Sequence, residues 1–456
     1  MKKGMFFALA ASSLLFSACS SDDAVVSTEG QNEAVQQIVL HVASSGDGLT
    51  TRAGRPLYSS QALQTIQNVR VLIYKNETGG GEKTIVYDKK LNWKESTIYK
   101  TNGHGRQFTI SLKGNDRLDA GNYKIMAVGY SDNSDYTYAL DVTSTEALTG
   151  GTYNDITATL KAGKKDAEEV FAGDATLTIG DDKKITNLTQ GEDDGVAVTL
   201  HRQVAGSFGY FCNIPAKVGD KTAATLRLVV RGKNDMLTFK DFNSSFTTTG
   251  STIKYYVNGS KSKGATFTPD AQFKDGDNGY VLYSIDLNTW FPGGDQNKDG
   301  LLNAEDTNWD HPTDVKTQVV KGSVFGSNFV IPFKYTDGKS TMELQLLDTA
   351  GSIIKTWTVS IPESDLNKVA ANGNVADVSA SIFNVVRNHM YNLGVKTSNG
   401  TTTDPDPNKP DPDPNKPDPD KPKPGTDQPE DLTKSQNLIL KVNDNWEAIH
   451  KLVLGD

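Results

Sequence analysis

The sequence consists largely of short runs in which apolar and polar residues alternate, separated by clusters of glycine, asparagine and aspartate. A typical run places Val69, Val71 and Ile73 on one face of a strand and is followed by a turn-forming segment at 76–81 that contains three glycines. No long amphipathic helical pattern interrupts the series. We therefore predict an all-β fold built from antiparallel β-sandwiches rather than an α/β sheet.

The strand runs divide into two sets, which predicts two tandem β-sandwich domains. The first domain is placed at residues 53–213, and the second domain is placed at residues 214–398. Neither half shows an obvious sequence repeat of the other.

Composition excludes several functional classes. A formal net charge of −9 argues against a large nucleic-acid interface, which needs clustered cations. Two cysteines cannot form a disulfide framework, and the six histidines are scattered singly, so neither a zinc-protease motif nor a catalytic triad stands out. The chain is predicted not to be an enzyme.

The N-terminus has the pattern of a lipoprotein signal peptide. Lys2 and Lys3 precede an apolar run that is too short to span a bilayer and that ends in Ser17-Ala18-Cys19. This pattern predicts a signal peptide at 1–18, a lipid on Cys19, and export as an outer-membrane lipoprotein. Ordinary secretion with an accidental cysteine is the alternative.

A second composition shift lies near the C-terminus. Ten of the 17 prolines fall between residues 404 and 430, and the heptad DPDPNKP occurs twice, at 404–410 and 411–417. Proline lacks a backbone donor, so we predict an extended spacer at 399–431, whose proline-rich part at 404–430 could reach about 80 Å. A simple domain linker or display stalk is the alternative interpretation.

The segment after the spacer matches a segment near the N-terminus. Asn437–Val442 and Gln37–Val42 share the order amide, aliphatic, aliphatic, leucine, basic-type residue, valine. Because strand side chains alternate between faces, both segments can fill the same row of core pockets. The residues that would do so are Ile38, Leu40 and Val42 in the first copy and Leu438, Leu440 and Val442 in the second. Two unrelated edge strands remain the alternative.

A protease-sensitive pattern follows the first copy. Arg52-Ala53 lies in a polar, glycine-flanked stretch that an arginine-specific protease could cut, which would make residues 19–52 a removable tether and strand. Loss of the strand would open an apolar groove, and the segment 432–456 of another copy could fill it as a donor strand, with Trp446 extending the contact. This arrangement would polymerise the protein head to tail.

Residues 295–306, here named the acidic loop, match an EF-hand-type calcium loop. Glycine stands at the sixth position, where a sharp turn is needed, and the last position carries aspartate instead of the usual glutamate. The predicted calcium ligands are Asp295, Asn297, Asp299, the carbonyl of Leu301, Asn303 and Asp306. The alternative is an Asp/Asn/Gly-rich turn that binds no metal.

Taken in order, these features resemble the Bacteroidetes fimbrillin family, the FimA/Mfa-type subunits of type V pili. The resemblance also uses Leu200–Ala205 near mid-chain and Val386–Tyr391 near the end of the second domain. It implies two transthyretin-like sandwiches, trimming by an arginine-specific protease, and a shaft subunit that supports adhesion from the cell surface. The implied partners are other copies of the chain and the anchor and tip subunits of a fimbria.

A different function also fits the sequence. The chain could stay monomeric on its lipid as a surface-anchored glycan- or adhesion-type binding protein. That reading requires an acylated Cys19 to be retained in the mature protein.

Overall fold

The fold was analysed in a computed structural model of the chain. It describes residues 36–42, 66–75, 84–98, 106–148, 156–189, 197–239, 246–249, 252–262, 268–313, 319–335, 342–360, 369–371, 374–375, 383–387, 390–394, 428–434, 437–439 and 441–443. The predictions for Cys19, Arg52, Ala53, Leu440 and Trp446 lie outside these ranges, as does the spacer from 399 to 427.

The described chain is almost entirely β-structure, which confirms the predicted fold class. The strands of the first half are β1 (Gln36–Val42), β2 (Asn68–Lys75), β3 (Thr84–Asn92), β4 (Thr97–Ile98), β5 (Arg106–Leu112), β6 (Gly121–Tyr130), β7 (Tyr136–Tyr138), β8 (Thr157–Leu160), β9 (Phe171–Ile179), β10 (Ile185–Thr189), β11 (Ala197–Arg202) and β12 (Ala205–Cys212). Two short 3-10 turns lie at Trp93–Glu95 and Gly114–Asp116.

The second half continues in the same way. Its strands are β13 (Ile214–Pro215), β14 (Lys217–Val218), β15 (Lys221–Val230), β16 (Met236–Thr238), β17 (Phe246–Thr249), β18 (Thr252–Tyr256), β19 (Gly259–Ser260), β20 (Ala271–Gln272), β21 (Asn278–Asp286), β22 (Leu301–Leu302), β23 (Ser323–Val330), β24 (Phe333–Tyr335), β25 (Met342–Asp348), β26 (Ile353–Ser360), β27 (Val369–Ala371), β28 (Asn374–Val375), β29 (Phe383–Val385), β30 (Met390–Leu393), β31 (Glu430–Asp431), β32 (Asn437–Ile439) and β33 (Lys441–Asn443).

One four-residue helix, α1 (Leu287–Trp290), is the longest α-helical element among the described residues. Asp286 caps it by accepting a hydrogen bond from the Asn288 backbone N–H. In the described ranges, no helix is long and apolar enough to cross a membrane.

A nine-stranded sheet forms the first sandwich. Its order is β3-β2-β6-β9-β11-β1-β5-β4, with β10 paired to β9. The core draws on strands from both ends of this order, including Val71 of β2, Ile125 of β6 and Ile110 of β5. The sheet therefore curls so that its two ends pack against each other, as in a sandwich.

The second sandwich combines a sheet of order β20-β21-β15-β25-β26-β32 with a sheet of order β23-β12-β30-β33. Leu228 of β15, Leu344 of β25 and Phe208 of β12 are fully buried in its core. Strand β12 precedes the predicted boundary at 213 but pairs with β23, β30 and β31 from the second half. The boundary itself stays a prediction.

Most ladders are antiparallel, but five of the described ladders are parallel: β1 with β11, β12 with β30 and with β31, β18 with β27, and β26 with β32. Parallel neighbours require long connections, so they occur where strands distant in the chain meet. The two segments singled out by their matching patterns each form one of these parallel ladders.

Candidate functional site

Strand β1 lies inside the first sheet rather than at its edge. It runs parallel to β11 on one side and antiparallel to β5 on the other, with all seven of its residues facing β5. Ile38 and Leu40 are fully buried, while Gln37 is exposed and Val39 is half-buried. The prediction that Ile38 and Leu40 face the core therefore agrees with the structure. The side chain of Val42 is outside the described part.

A buried glutamine fixes the start of β1. The Gln36 side-chain amide donates to the carbonyls of Leu118 (2.9 Å) and Lys183 (2.8 Å), and its oxygen accepts the Leu118 N–H at 2.9 Å. The two donors and the acceptor of this side-chain amide thus each bond to a backbone group, and these groups come from two different loops. The role of Gln36 could not be predicted from the sequence pattern, because its partners Leu118 and Lys183 lie far away in the chain.

Strand β1 also holds the edge of the sheet in place. In the described part of the chain, β5 pairs only with β1 and with the two-residue strand β4. Removing β1 would therefore separate β5 and β4 from β11 and leave unpaired backbone groups on both sides of the gap. Such a gap has a strong tendency to recruit another strand.

The C-terminal segment is attached to the second sandwich at the last residues of the predicted spacer. Glu430 and Asp431 pair with Phe211 and Cys212 of β12, and Leu432, which is fully buried, donates its N–H to the Cys212 carbonyl at 3.2 Å. The Asp431 carboxylate accepts hydrogen bonds from Asn213 (2.9 Å) and from Thr433. We name residues 430–434 the anchor.

Burial opposes ionisation of Asp431, but hydrogen bonds from Thr433, Asn213 and Lys434 outweigh it and lower the pKa of Asp431 to about 2. Burial of the Cys212 thiol, together with the negative charge of Asp431, raises the pKa of this thiol to about 11. Cys212 is therefore a protonated, half-buried thiol at neutral pH, as expected for a packing residue.

Both ends of the proline-rich segment lie at β12. Strand β30 pairs with β12 over Gly206–Gly209, and the anchor pairs with it at Phe211 and Cys212. At Gly394, the last residue described before the spacer, an added Cβ would lie 3.2 Å from the Glu430 nitrogen and 2.4 Å from the Tyr210 carbonyl oxygen. The segment between Gly394 and Glu430 thus begins and returns at one place on the second sandwich.

Beyond the anchor, the chain crosses between the two sheets of the second sandwich. Strand β32 pairs in parallel with β26, and β33 pairs antiparallel with β30. Leu438 is fully buried in the core of this sandwich. Within one chain, the structure therefore does not bring Leu438 together with Ile38 and Leu40; they occupy different sandwiches.

The two segments quoted for the family resemblance meet in a buried polar network. Gln203 donates to the carbonyls of His201 (2.7 Å) and Ala172 (3.3 Å), and its side-chain oxygen accepts from Arg387 Nη1 at 3.2 Å. Asn258 donates to the same oxygen at 3.2 Å. Gln203 and Arg387 are fully buried, so the network ties the first sandwich to the second.

The acidic loop forms the turn that its motif predicts. Gly300 has a φ of 89°, and its N–H donates to Asp295 at 2.9 Å. The Asn297 oxygen accepts the Asp299 N–H at 3.0 Å, and Asp299 accepts the Leu301 N–H at 2.8 Å. The hydrogen bond from Leu301, supported by amides of Asn303 and Asn297, holds the pKa of Asp299 below its usual value.

The side-chain amides of Asn297 and Asn303 direct their nitrogen atoms to the Asp299 carboxylate. Asn303 Nδ2 and Asn297 Nδ2 donate to Asp299 at 2.7 and 3.1 Å, while the Asn303 oxygen accepts the Glu305 N–H at 2.7 Å. The buried Asp306 accepts the Asn303 N–H at 3.0 Å.

To bind calcium, Asn297 and Asn303 would have to turn their side-chain oxygens toward the ion. The residue types of the loop therefore fit calcium, but the orientations of these two amides do not. Across the described ranges, no three His, Cys, Asp or Glu side chains form a metal-ligand group.

Among known proteins, the chain is similar to solved structures. No family model and no curated protein matches the chain. Similar structures include a fimbrial assembly protein from Parabacteroides distasonis (12% identity, 79% of this chain, 91% of that chain, TM-score 0.31). They also include, from Porphyromonas gingivalis, the tip fimbrial protein Mfa3 with C-terminal truncation (11%, 78%, 94%, 0.32) and the fimbrial anchor protein Mfa2 (12%, 79%, 90%, 0.30).

Fimbrial proteins are thus among the solved structures similar to this chain.

Proposed function

We propose that this protein is a shaft subunit of a cell-surface fimbria that polymerises by protease-triggered strand exchange and supports adhesion. One observation carries the proposal: β1 is an internal strand that holds two parts of a sheet together, and its sequence pattern is repeated at the C-terminus. Removing such a strand creates a site that a strand of the same pattern can fill.

The position of the proposed cleavage site supports removal of the strand. Arg52 follows the last residue of β1, Val42, by ten residues, so a cut after Arg52 leaves β1 without a covalent link to the sandwich. The buried side chains of β1 and its two ladders keep the cut strand bound until a replacement arrives. Exchange rather than simple loss is therefore expected, because an open apolar groove is costly.

The geometry of β1 specifies how a donor strand would lie. A donor aligned residue by residue with β1 runs parallel to β11 and antiparallel to β5. Leu438 then faces Ile110, as Ile38 does, and Lys441 takes the place of His41 opposite Gln107. The buried positions of the groove receive the aliphatic residues of the donor.

Gln436 extends the match beyond the residues compared in the sequence analysis. It occupies the position of Gln36 when the two segments are aligned. A donor strand in this register would therefore place an amide where Gln36 bonds to the carbonyls of Leu118 and Lys183. A glutamine at this point favours one register, since a one-residue shift would take the amide away from the Leu118 N–H, the Leu118 carbonyl and the Lys183 carbonyl, and the two Leu118 bonds are buried.

The lipid on Cys19, the arginine-specific protease, and anchor and tip subunits at the ends of the fibre are parts of the same proposal. Export as a lipoprotein would deliver the precursor to the outer membrane, and cleavage after Arg52 would release it from the lipid for assembly. A calcium ion in the acidic loop would stabilise the second sandwich once the amides of Asn297 and Asn303 turn their oxygens to the ion.

The experiment that tests the strand register is a disulfide between two copies. Gln107→Cys is introduced in one preparation and Lys441→Cys in another, both with Cys19 and Cys212 replaced by serine; the two are cut with an arginine-specific protease, mixed and oxidised. In the proposed register these positions lie opposite each other, so a covalent dimer is expected.

The control pairs Lys441→Cys with Ser111→Cys. Ser111 is exposed on the same strand face but lies opposite Gln37, four residues from the position that Lys441 would occupy. Dimer formation with Gln107→Cys and not with Ser111→Cys supports the proposal. Equal yields with both, or dimers that form without cleavage, contradict it.

A further inference from the structure

The C-terminal segment has a binding site of its own in the second sandwich. Among the described residues, β26 would be the edge of one sheet and β30 the edge of the other without β32 and β33. The segment covers both edges, through β32 on β26 and β33 on β30, and Leu438 is fully buried in the core of this sandwich. Exposed edges of this kind promote unwanted pairing between chains, so the segment protects the single molecule.

This site is smaller than the one that β1 occupies. Three residues of β32 face β26 and three of β33 face β30, and within the described ranges each strand is paired on one side. By contrast, seven residues of β1 face β5 and four face β11, so that β1 is paired on both sides. A strand of the same pattern therefore gains more backbone pairing in the groove of β1 than in the second sandwich.

The anchor limits which residues can move. Leu432 is bonded to β12, and Asp431 is bonded to Asn213 and Thr433. Only residues 435 and 436 separate the anchor from β32. The segment that can leave the second sandwich while the anchor stays bound thus begins at Ser435, after the proline-rich spacer. Its reach is set by the tail itself and not by the length of the spacer.

We infer that the cleft between β26 and β30 is a holding site for residues 437–443 of the same chain, which keeps the donor segment bound until the groove of β1 opens in a second copy. The inference rests on the proposed function. It adds a second control on assembly: cleavage opens the acceptor, and release from the holding site frees the donor. Because the acceptor groove offers the longer ladder, transfer proceeds toward the polymer.

A disulfide that locks the segment in place tests this inference. Thr358, which is exposed on β26, lies opposite Asn437 of β32, so Thr358→Cys with Asn437→Cys can be oxidised across the ladder. The full chain carries Cys19→Ser and Cys212→Ser in all variants. The matched control is Asn122→Cys with Thr178→Cys, an exposed and a half-buried residue that face each other on β6 and β9, away from β1 and the tail.

After cleavage by an arginine-specific protease, the oxidised Thr358/Asn437 lock is expected to abolish polymer growth, and dithiothreitol is expected to restore it. The oxidised control pair should polymerise like the parent chain. Polymer growth by the oxidised lock at the parental rate overturns the inference.

If the parent chain itself does not polymerise, the proposed function fails, and amide hydrogen exchange still decides whether the holding site exists. Backbone amides of 437–443 should be protected in the uncut monomer and lose that protection in Leu438→Ser. Exchange of these amides at the rate of an unfolded peptide in the uncut parent chain overturns the holding site.

Discussion

Replacing Leu40 by alanine separates the stability of the precursor from that of the polymer. Leu40 is fully buried, and it packs in a hydrophobic cluster with Ile38, Ile110 and Leu200. Truncation of a leucine at such a site leaves a cavity and costs about 3 kcal/mol, within a common range of about 2 to 5 kcal/mol. For a sandwich of this size, we expect the Tm of the uncut precursor to fall by roughly 6 to 12 °C.

The polymer should not show this loss, because residue 40 is removed with the segment up to Arg52. The assay is thermal or denaturant unfolding of the uncut precursor and of the assembled, protease-treated protein. Gln37→Ala is the matched control: it lies on the same strand but is exposed, so its effect on the precursor should stay within about 0.5 kcal/mol. If Leu40→Ala destabilises the precursor no more than Gln37→Ala, or destabilises precursor and polymer equally, the reasoning about β1 is wrong.

Three further predictions concern the second sandwich and its junction with the first. Calcium should raise the Tm of the parent chain but not of the double variant D295A/D299A; equal shifts in both would show that the acidic loop does not bind the ion. Gln203→Ala should lower the free energy of unfolding by about 2 to 3 kcal/mol, because it removes the side-chain oxygen that accepts hydrogen bonds from the buried Arg387 and from Asn258. Urea unfolding measures this loss, and a loss below about 0.5 kcal/mol would contradict the role of the network. The pKa of Asp431 is lower in the folded chain than in an unfolded one, so its contribution to stability is present above about pH 4 and is lost as the pH falls toward 2. Asp431→Asn should remove this part of the decrease of Tm in acid. An unchanged dependence of Tm on pH would show that the anchor carboxylate contributes nothing.

The parts of the fold that the sequence predicts are those set by local alternation. Ile38 and Leu40 are buried and Gln37 is exposed because a strand presents successive side chains to opposite faces. The turn at Gly300 is likewise a local property, since the acidic loop needs a positive φ there. Such features depend on residues a few positions apart, which a single sequence displays directly.

The location of the C-terminal segment could not be predicted in this way. Alternation shows that Leu438 faces a core but not which core, because β32 and β1 share the pattern and lie in different sandwiches. The contact of Gln203 with Arg387 joins residues far apart in the chain, and no local signal links them. The return of the chain to β12 at Glu430 also depends on tertiary packing alone.

Mass spectrometry of the N-terminus of protein sheared from the cell surface tests the central claim most directly. If strand exchange builds the fibre, the surface protein begins at Ala53, and both the lipid and β1 are absent from it. A surface protein that begins at an acylated Cys19 in all the material would contradict the account and would leave a lipid-anchored binding protein as the function.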